Sequence, residues 1–517
     1  MITQILEMDS TMVKIISRLR FAANTLTPIC QLPPEILCEV FFHLRPVIRR
    51  GYGRPRAGQP FRNLLAVTHT CQHWRATAIA AAELWSQLII RGPYEKLDLT
   101  RLFISRSREL PLDADFEYQL AVIAPYTNRL RALSCSGYTT GEFLNFSDRP
   151  AQLLETLHIR SREYHHSEDP LPTLFDGDFP SLRELVVNGY NPLPNNHFRN
   201  LTSFHLHLSS VSAGSSLWIP LLEVLRDSPQ LEELFLNFDI YNGFPSVPNI
   251  PDPAALHALQ RLHLRGVRST LTRRFLNLVD LVPNGIAMQF TNIIPEFDWM
   301  APPTLPPELS LHSVTSLEII YPPTHGFIVQ GTNPGMQIRV AEASDSNNMH
   351  AAILSRLIPR TDLQSPLREL WIHIERRKEQ NFVSLPEFPH LEKLVVRVTT
   401  EGNSIHCLLL MLDVDGQVPC PLLSTLDLSG PLEMGSLVKV LKVRSKGGCR
   451  LEKLRLGRAH VLVEDIERLR VQDYVDELEL FGAGADAEPC GMELPAVCTT
   501  ELGEWWESWT KRRVEYL

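Results

Sequence analysis

The 517-residue chain lacks any apolar run long enough to cross a bilayer; its densest, Cys407–Leu412, is six residues against the roughly 20 a membrane helix needs. The basic-then-apolar order of a secretory leader is also missing, because Glu7, Asp9, Ser10 and Lys14 interrupt the first segment. Nine cysteines lie between Cys30 and Cys498 without a single C-x-x-C pair. An odd, scattered set argues for reduced thiols and a cytoplasmic and/or nuclear protein. Excess positive charge is absent too. The 50 Lys+Arg against 59 Asp+Glu leave a net charge of −9, which speaks against bulk attraction to nucleic acid or an anionic membrane.

Catalytic signatures are equally scarce. There is no P-loop and no G-x-S-x-G, and Gly482-Ala483-Gly484 lacks the further glycine and helix of a dinucleotide site. Asp413-Val414-Asp415-Gly416 is too short for a calcium loop, whose ligands span about 12 residues. No catalytic residue, metal or cofactor is expected.

What is abundant is one phrase, L-x-x-L-x-L. It occurs at Leu154/Leu157/Ile159, Leu182/Leu185/Val187, Leu201/Phe204/Leu206, Leu231/Leu234/Leu236 and Leu259/Leu262/Leu264. It returns at Val314/Leu317/Ile319, Leu367/Leu370/Ile372, Leu391/Leu394/Val396, Leu423/Leu426/Leu428, Leu451/Leu454/Leu456 and Val475/Leu478/Leu480, with a weak first copy at Leu130/Leu133/Cys135. Two double-length gaps predict degenerate copies at Ile286/Met288/Phe290 and Ile338/Val340. With those included the period is about 26 residues, inside the roughly 20–29 of leucine-rich repeats. Helical patterns fall between copies, at Leu217–Leu225, Leu276–Val282, Met349–Ile358 and Ile405–Leu412. A short strand followed by a helix or irregular return cannot bury its apolar face alone, so stacked units make one continuous core. The expected fold is α/β: a leucine-rich-repeat solenoid whose concave side is a parallel sheet.

The first hundred residues differ in charge, with 12 Lys/Arg and 7 Asp/Glu. Ile5, Met8, Met12, Ile15, Leu19, Ala22 and Leu26 recur at steps of 3 and 4, an amphipathic helix ended by Pro28 and expected to fold against its own protein. Dimerisation through that stripe is the alternative. Leu32-Pro33-Pro34-Glu35-Ile36-Leu37 then opens a second helix, with proline where no N–H is needed and Glu35 at the positive end. Ile36, Leu37, Val40, Phe41 and Leu44 give it a wide apolar face. Leu64–Arg75 reads as another helix, with Val67, Cys71, Trp74 and Ala78 on one stripe, leading to Glu83-Leu84-Trp85. Cys71 on such a stripe is expected to be an inert core thiol.

The L-P-P-E-I-L opening, the C-x-x-W-R middle and the closing L-W resemble an F-box. Together with the repeats the chain resembles the fungal-type F-box proteins with C-terminal leucine-rich repeats. The resemblance implies docking on the Skp adaptor of an SCF (Skp–cullin–F-box) ubiquitin ligase, with the repeats capturing the protein to be modified. It implies adaptor contacts by Leu32, Pro33, Ile36, Leu37, Val40 and Phe41, with Cys71, Trp74 and Leu84 joining or supporting them. Between Leu44 and Phe61 a basic stretch (Arg45, Arg49, Arg50, Arg54, Arg56) is longer than the family usually has, and reads as a loop. The expected organisation is 1–27 helix, 28–92 F-box, 93–482 solenoid and 483–517 capping tail.

Side chains alternate along a strand, so the x positions of the phrase and the residue after its last leucine face away from the leucines. Those positions hold Phe235, Arg261, His263, Arg265 and Trp371, aromatic and arginine residues of the kind that dominate protein contacts. They are the candidate target-binding residues, unless neighbouring loops cover Phe235 and Trp371. His158, His205 and His263 share the face, but alternate strands are near 10 Å apart, too far for one zinc. In the tail, Trp505, Trp506 and Trp509 stand beside Lys511, Arg512 and Arg513. A short helix whose Trp505/Trp509 face covers the last repeats is expected; a partner-binding tail is the alternative. The function expected is a non-catalytic substrate receptor, the rival a repeat scaffold attached to no ligase.

Overall fold

Every copy of the phrase places its second and third apolar residues two apart on a strand. The computed structural model describes residues 2–45, 62–90, 97–117, 120–138, 146–161, 173–177, 179–189, 193–209, 218–239, 252–266, 275–281, 286–293, 315–321, 327–332, 335–340, 367–374, 388–398, 418–457, 461–481, 494–500, 506 and 509. They form a mixed α/β chain that divides into two units, Met1–Leu201 and Thr202–Leu517. This division falls inside the stretch 93–482 expected to be one domain.

The first unit opens with α1 (Ile2–Thr25), followed by a 3-10 turn at Pro28–Gln31. The apolar stripe of α1 is not folded against the chain: Ile5, Met8, Met12 and Leu19 are all exposed. This corrects the expectation of an internal packing partner. Next come α2 (Pro34–Phe42), α3 (Arg62–Thr70) and α4 (Gln72–Ala80), a 3-10 turn at Ala82–Trp85, β1 (Gln87–Ile90) and α5 (Leu97–Arg106). The stretch Leu64–Arg75 is therefore two helices. Cys71 breaks it in an extended conformation and caps α4, its Sγ accepting from the Trp74 N–H at 3.4 Å. Its thiol is a cap and not a member of a helical stripe.

Four further strands complete this unit: β2 (Leu112–Phe116), β3 (Leu130–Tyr138), β4 (Thr156–Ser161) and β5 (Glu184–Asn188). β1 to β5 pair in chain order, all parallel. Leu133, Leu157 and Leu185 align as one row and Cys135, Ile159 and Val187 as the next, all buried.

The second unit contains β6 (Ser203–Ser209), α6 (Trp218–Asp227), β7 (Glu233–Asp239), β8 (Ala254–Ala255), β9 (Arg261–Arg265), β10 (Val279–Asp280) and β11 (Ala287–Ile293). After these come β12 (Ser316–Tyr321), β13 (Phe327–Thr332), β14 (Gly335–Val340), β15 (Glu369–Ile374), β16 (Lys393–Val398) and β17 (Thr425–Ser429). The last elements are α7 (Met434–Lys446), β18 (Leu451–Gly457), α8 (Val463–Arg468), β19 (Val475–Phe481) and α9 (Ala496–Thr499). α6 is the helix expected before Ser228-Pro229. Of the helix expected over Leu276–Val282 only Leu276 is helical among the described residues; Val279–Asp280 are strand β10, paired with β8. The patterns at Met349–Ile358 and Ile405–Leu412 lie outside the described residues.

The sheet runs β6-β7-β9-β11-β14-β13-β12-β15-β16-β17-β18-β19. Both degenerate copies are strands, β11 and β14. The expectation of a wholly parallel sheet in chain order fails at one place. β13 pairs antiparallel to both β12 and β14, and the three stand in reverse order. The cause is local: only Asn333 and Pro334 separate β13 from β14, whereas a parallel crossover needs a dozen or more residues. β14 is again parallel to β11 and β12 to β15, so the apolar rows continue on either side.

Each strand's return must also satisfy its backbone. Arg444 on α7 is fully buried and donates to the carbonyls of Pro419, Cys420 and Leu423 at 2.7–3.1 Å. The core itself is the leucine rows. Truncating Leu262 or Leu426, both fully buried, to alanine is expected to cost about 2–5 kcal/mol in denaturant unfolding. The exposed Leu422, changed likewise, should stay within about 0.5 kcal/mol.

Candidate functional site

Two surfaces hold the residues singled out above. In the helical region of the first unit, α2 has two apolar faces, not one. Leu37 and Phe41 point inward and are fully buried, Phe41 lying 5.2 Å from the Trp74 ring. Leu84 is buried beside them in the chain, and Trp85 donates its indole N–H to the Ala78 carbonyl at 2.7 Å. Trp85 also meets Phe103 edge-on at 4.8 Å and carries Arg106 over its face at 4.3 Å. The outward face keeps Ile36 and Val40, 49% and 44% exposed, next to exposed Pro33 and half-buried Leu32.

The expectation that Leu37 and Phe41 touch a partner is thus corrected: both are sealed in the packing, for a helix cannot turn all of a wide apolar face both ways. Leu84 and half-buried Trp74 fall on the supporting side. Of the basic stretch, residues 46–61 lie outside the described residues; Arg45 stacks over Phe42 at 5.6 Å.

In the second unit the register fixes what shares a face. His205, Phe235, His263, Gln289 and Gln337 align across β6, β7, β9, β11 and β14. Beyond β13 the same row continues through Glu318, Trp371, Val395, Asp427 and Arg455 to Glu479. Arg261 and Arg265 occupy the flanking rows of β9. The five candidate target-binding residues do lie on the face opposite the leucines, Arg265 exposed and the rest not.

The chain itself covers the other four. Phe235 packs with Ala287, Cys498, Trp506 and Trp509 in one buried cluster, with Leu494 and Val497 against it. The Phe235 and Trp506 rings meet edge-on at 6.1 Å, and His263 lies 6.4 Å from Trp506. Arg261 donates Nε–H to the Val497 carbonyl at 3.2 Å and pairs with Glu233 at 2.9 Å. Glu233 in turn accepts from Ser203, whose hydroxyl meets His205 at 2.9 Å. Trp371 packs on Val395 and Leu494, under Lys393 at 4.7 Å. Phe235 and Trp371 are buried, and the C-terminal segment packs against both. That segment was expected over the last repeats; it crosses the middle strands instead, with Trp506 and Trp509 as anchors, Trp505 being outside the described residues.

Further along the row the chemistry turns ionic. Asp427 is buried and paired with Arg455 at 3.0 Å, and Arg455 also holds Glu479. Lys453 bridges Glu477 and Glu479; those bonds raise the lysine's pKa and lower that of Glu479. Glu318, fully buried, stands 3.0 Å from His373.

The histidines serve separate partners: His158 meets Glu184 at 3.1 Å, His205 meets Ser203 and His263 meets Thr291 at 2.8 Å. The tail residues of the site were not legible in the sequence as site residues. Three tryptophans near the C-terminus were the available signal, but nothing in their spacing says which strands they meet.

A scan against protein-family models matches none, and no curated protein matches the chain in sequence.

Burial pushes the Cys498 thiol up to about 12, with nearby Arg261 opposing the shift. Burial favours the neutral thiol, so this contribution to stability is whole below the ordinary value of 9.0. It is lost as pH rises through about 12. The denaturation midpoint of the wild-type chain should therefore fall more between about pH 8 and about pH 11 than that of Cys498→Ala. Equal slopes would show the thiol to be ionised without cost.

Proposed function

We propose that this chain is the substrate-recognition subunit of an SCF-type ubiquitin ligase, working in the cytoplasm and/or nucleus and performing no catalysis of its own. In this reading Leu32–Trp85 is an F-box that docks on the Skp adaptor and through it on a cullin. The strands from β2 onward are a leucine-rich-repeat solenoid that holds the target.

The observation that carries the reading is the division of α2. Its inner face is sealed by Leu37, Phe41 and the Trp74 ring, so the helix is held without using Ile36 and Val40. Two large aliphatic side chains beside Pro33 and Leu32 form the kind of central apolar anchor that dominates a protein interface. The recurring strand phrase supports the repeat assignment, since a parallel row at that period is what stacked repeats present. A repeat scaffold attached to no ligase is the rival, and it draws on α1, whose exposed stripe offers docking without any adaptor.

Co-purification with the Skp adaptor separates the two. The wild-type chain should retain the adaptor, and Ile36→Asp with Val40→Asp should weaken capture at least about 30-fold, about 2 kcal/mol, while leaving the helical packing intact. Leu32→Ala with Pro33→Ala should weaken it in the same direction. Adaptor that never binds, or that binds both altered chains as well as the wild type, removes the ligase from the account.

A further inference from the structure

The C-terminal segment lies on the sheet through two tryptophan anchors, Trp506 and Trp509. Trp506 and Trp509 bury their rings against Phe235 and Ala287, yet neither indole N–H meets an acceptor among the described residues, although both nitrogen atoms are buried. In the helical region Trp85 donates its indole N–H to the Ala78 carbonyl, whereas the buried Trp74 indole N–H, like those of Trp506 and Trp509, meets no acceptor among the described residues. A buried tryptophan normally finds such a partner, because an unmade bond leaves the group's desolvation uncompensated. Among the described residues, backbone bonds within the segment run from Cys498 to Pro495 and from Trp509 to Cys498.

On the sheet side the surface is built independently of the segment. Glu233 fixes Arg261 at 2.9 Å and is itself fixed by Ser203. Arg261 then presents Nε–H outward, where it takes the Val497 carbonyl. Beside it, Phe235 and His263 offer ring edges and faces to Trp506, and Ala287 leaves room for Trp509. These are the elements of a peptide site: an aromatic cleft with one fixed donor for a main-chain carbonyl.

We propose that the face of β7, β9 and β11 is a binding site for a peptide segment bearing large aromatic side chains, and that the tail residues 494–500, Trp506 and Trp509 are its built-in occupant, displaced when such a segment arrives. The inference rests on the receptor reading only in that the arriving segment belongs to the target protein. The site takes Trp or Phe side chains between Phe235 and Ala287 and a backbone carbonyl on Arg261. A ligand whose own aromatic side chains bury no unpaired N–H there gains over the tail. Because the tail is tethered, its effective concentration is high, and a free segment competes against it by mass action.

Cys498 reports the exchange in the unaltered full chain. It is buried under the tail's contacts, as Cys135 and Cys420 are buried elsewhere. The probe is a synthetic peptide of residues 494–517 with Cys498→Ser, added to the full chain during iodoacetamide treatment, with labelling at each cysteine followed by peptide mass mapping. Labelling of Cys498 should rise with peptide concentration, about tenfold as the peptide approaches the tail's effective concentration, on the order of millimolar. Labelling of Cys135 and Cys420 should not change. The same peptide with Trp506→Ala and Trp509→Ala should have no effect.

Cys498 labelling that ignores the peptide would overturn the proposal, making the segment a permanent part of the core. So would a rise shared by Cys135 and Cys420, which is unfolding, or an equal effect from the peptide carrying Trp506→Ala and Trp509→Ala. The adaptor takes no part in this measurement. Loss of adaptor capture therefore leaves the peptide site standing, and loss of the peptide site leaves the adaptor reading standing.

Discussion

A strand with leucines on one side and polar residues on the other cannot bury its apolar row without neighbours, and this constraint organises the chain. Leu262 sits between Leu234 and Met288, and Leu264 between Leu236 and Phe290, in strict register. Each row is dry because the next strand repeats it. Where β12, β13 and β14 reverse their order, the rows still align: Met288 meets Met336, and Leu317 meets Leu370. The row, more than the connectivity, is what the packing preserves. Period-2 alternation then dictates the rest, since anything that is not leucine at these positions is delivered to the other face.

That second face is consequently a platform whose chemistry varies along its length while its backbone stays fixed. Near β7 to β11 it is aromatic and holds Phe235, His263 and Ala287 under the C-terminal tryptophans. At β12 and β15 it carries the buried Glu318 beside His373, and by β17 to β19 it is a ladder of Asp427, Arg455, Glu479, Lys453 and Glu477. The buried contacts among these, Asp427–Arg455 and Glu318–His373, hold geometry more surely than they add stability, because desolvation offsets much of their attraction. An aromatic section next to a rigid ionic one suits recognition of a chain segment.

The helical region follows a different logic. α2 is pinned by Leu37 and Phe41, its neighbour α4 starts afresh at the Cys71 cap, and Cys30 brings its sulfur to 3.9 Å from that of Cys71. Rigid support on one side is what allows Ile36 and Val40 to stay outside in a defined geometry. α1, by contrast, leaves its whole apolar stripe exposed, so its amphipathic pattern was read correctly while its expected packing was not.

Local pattern determined a good deal: the strand positions of all the leucine phrases, the two degenerate copies, α6 with its Ser228-Pro229 stop, and which side chains share the face opposite the leucines. These are legible because period 2 and period 3.6 are properties of neighbouring residues. The split of Leu64–Arg75 at Cys71 was missed because a thiol is a weak cap signal, and β10 because a short apolar run fits helix or strand equally. Only the tertiary structure decided that β13 runs backwards, that α2 seals Leu37 and Phe41 while exposing Ile36 and Val40, and that Trp506 and Trp509 lie on Phe235. The reason is physical: spacing fixes the face a residue occupies, but contacts between residues as distant as Arg261 and Val497 depend on which surfaces the folded chain brings together.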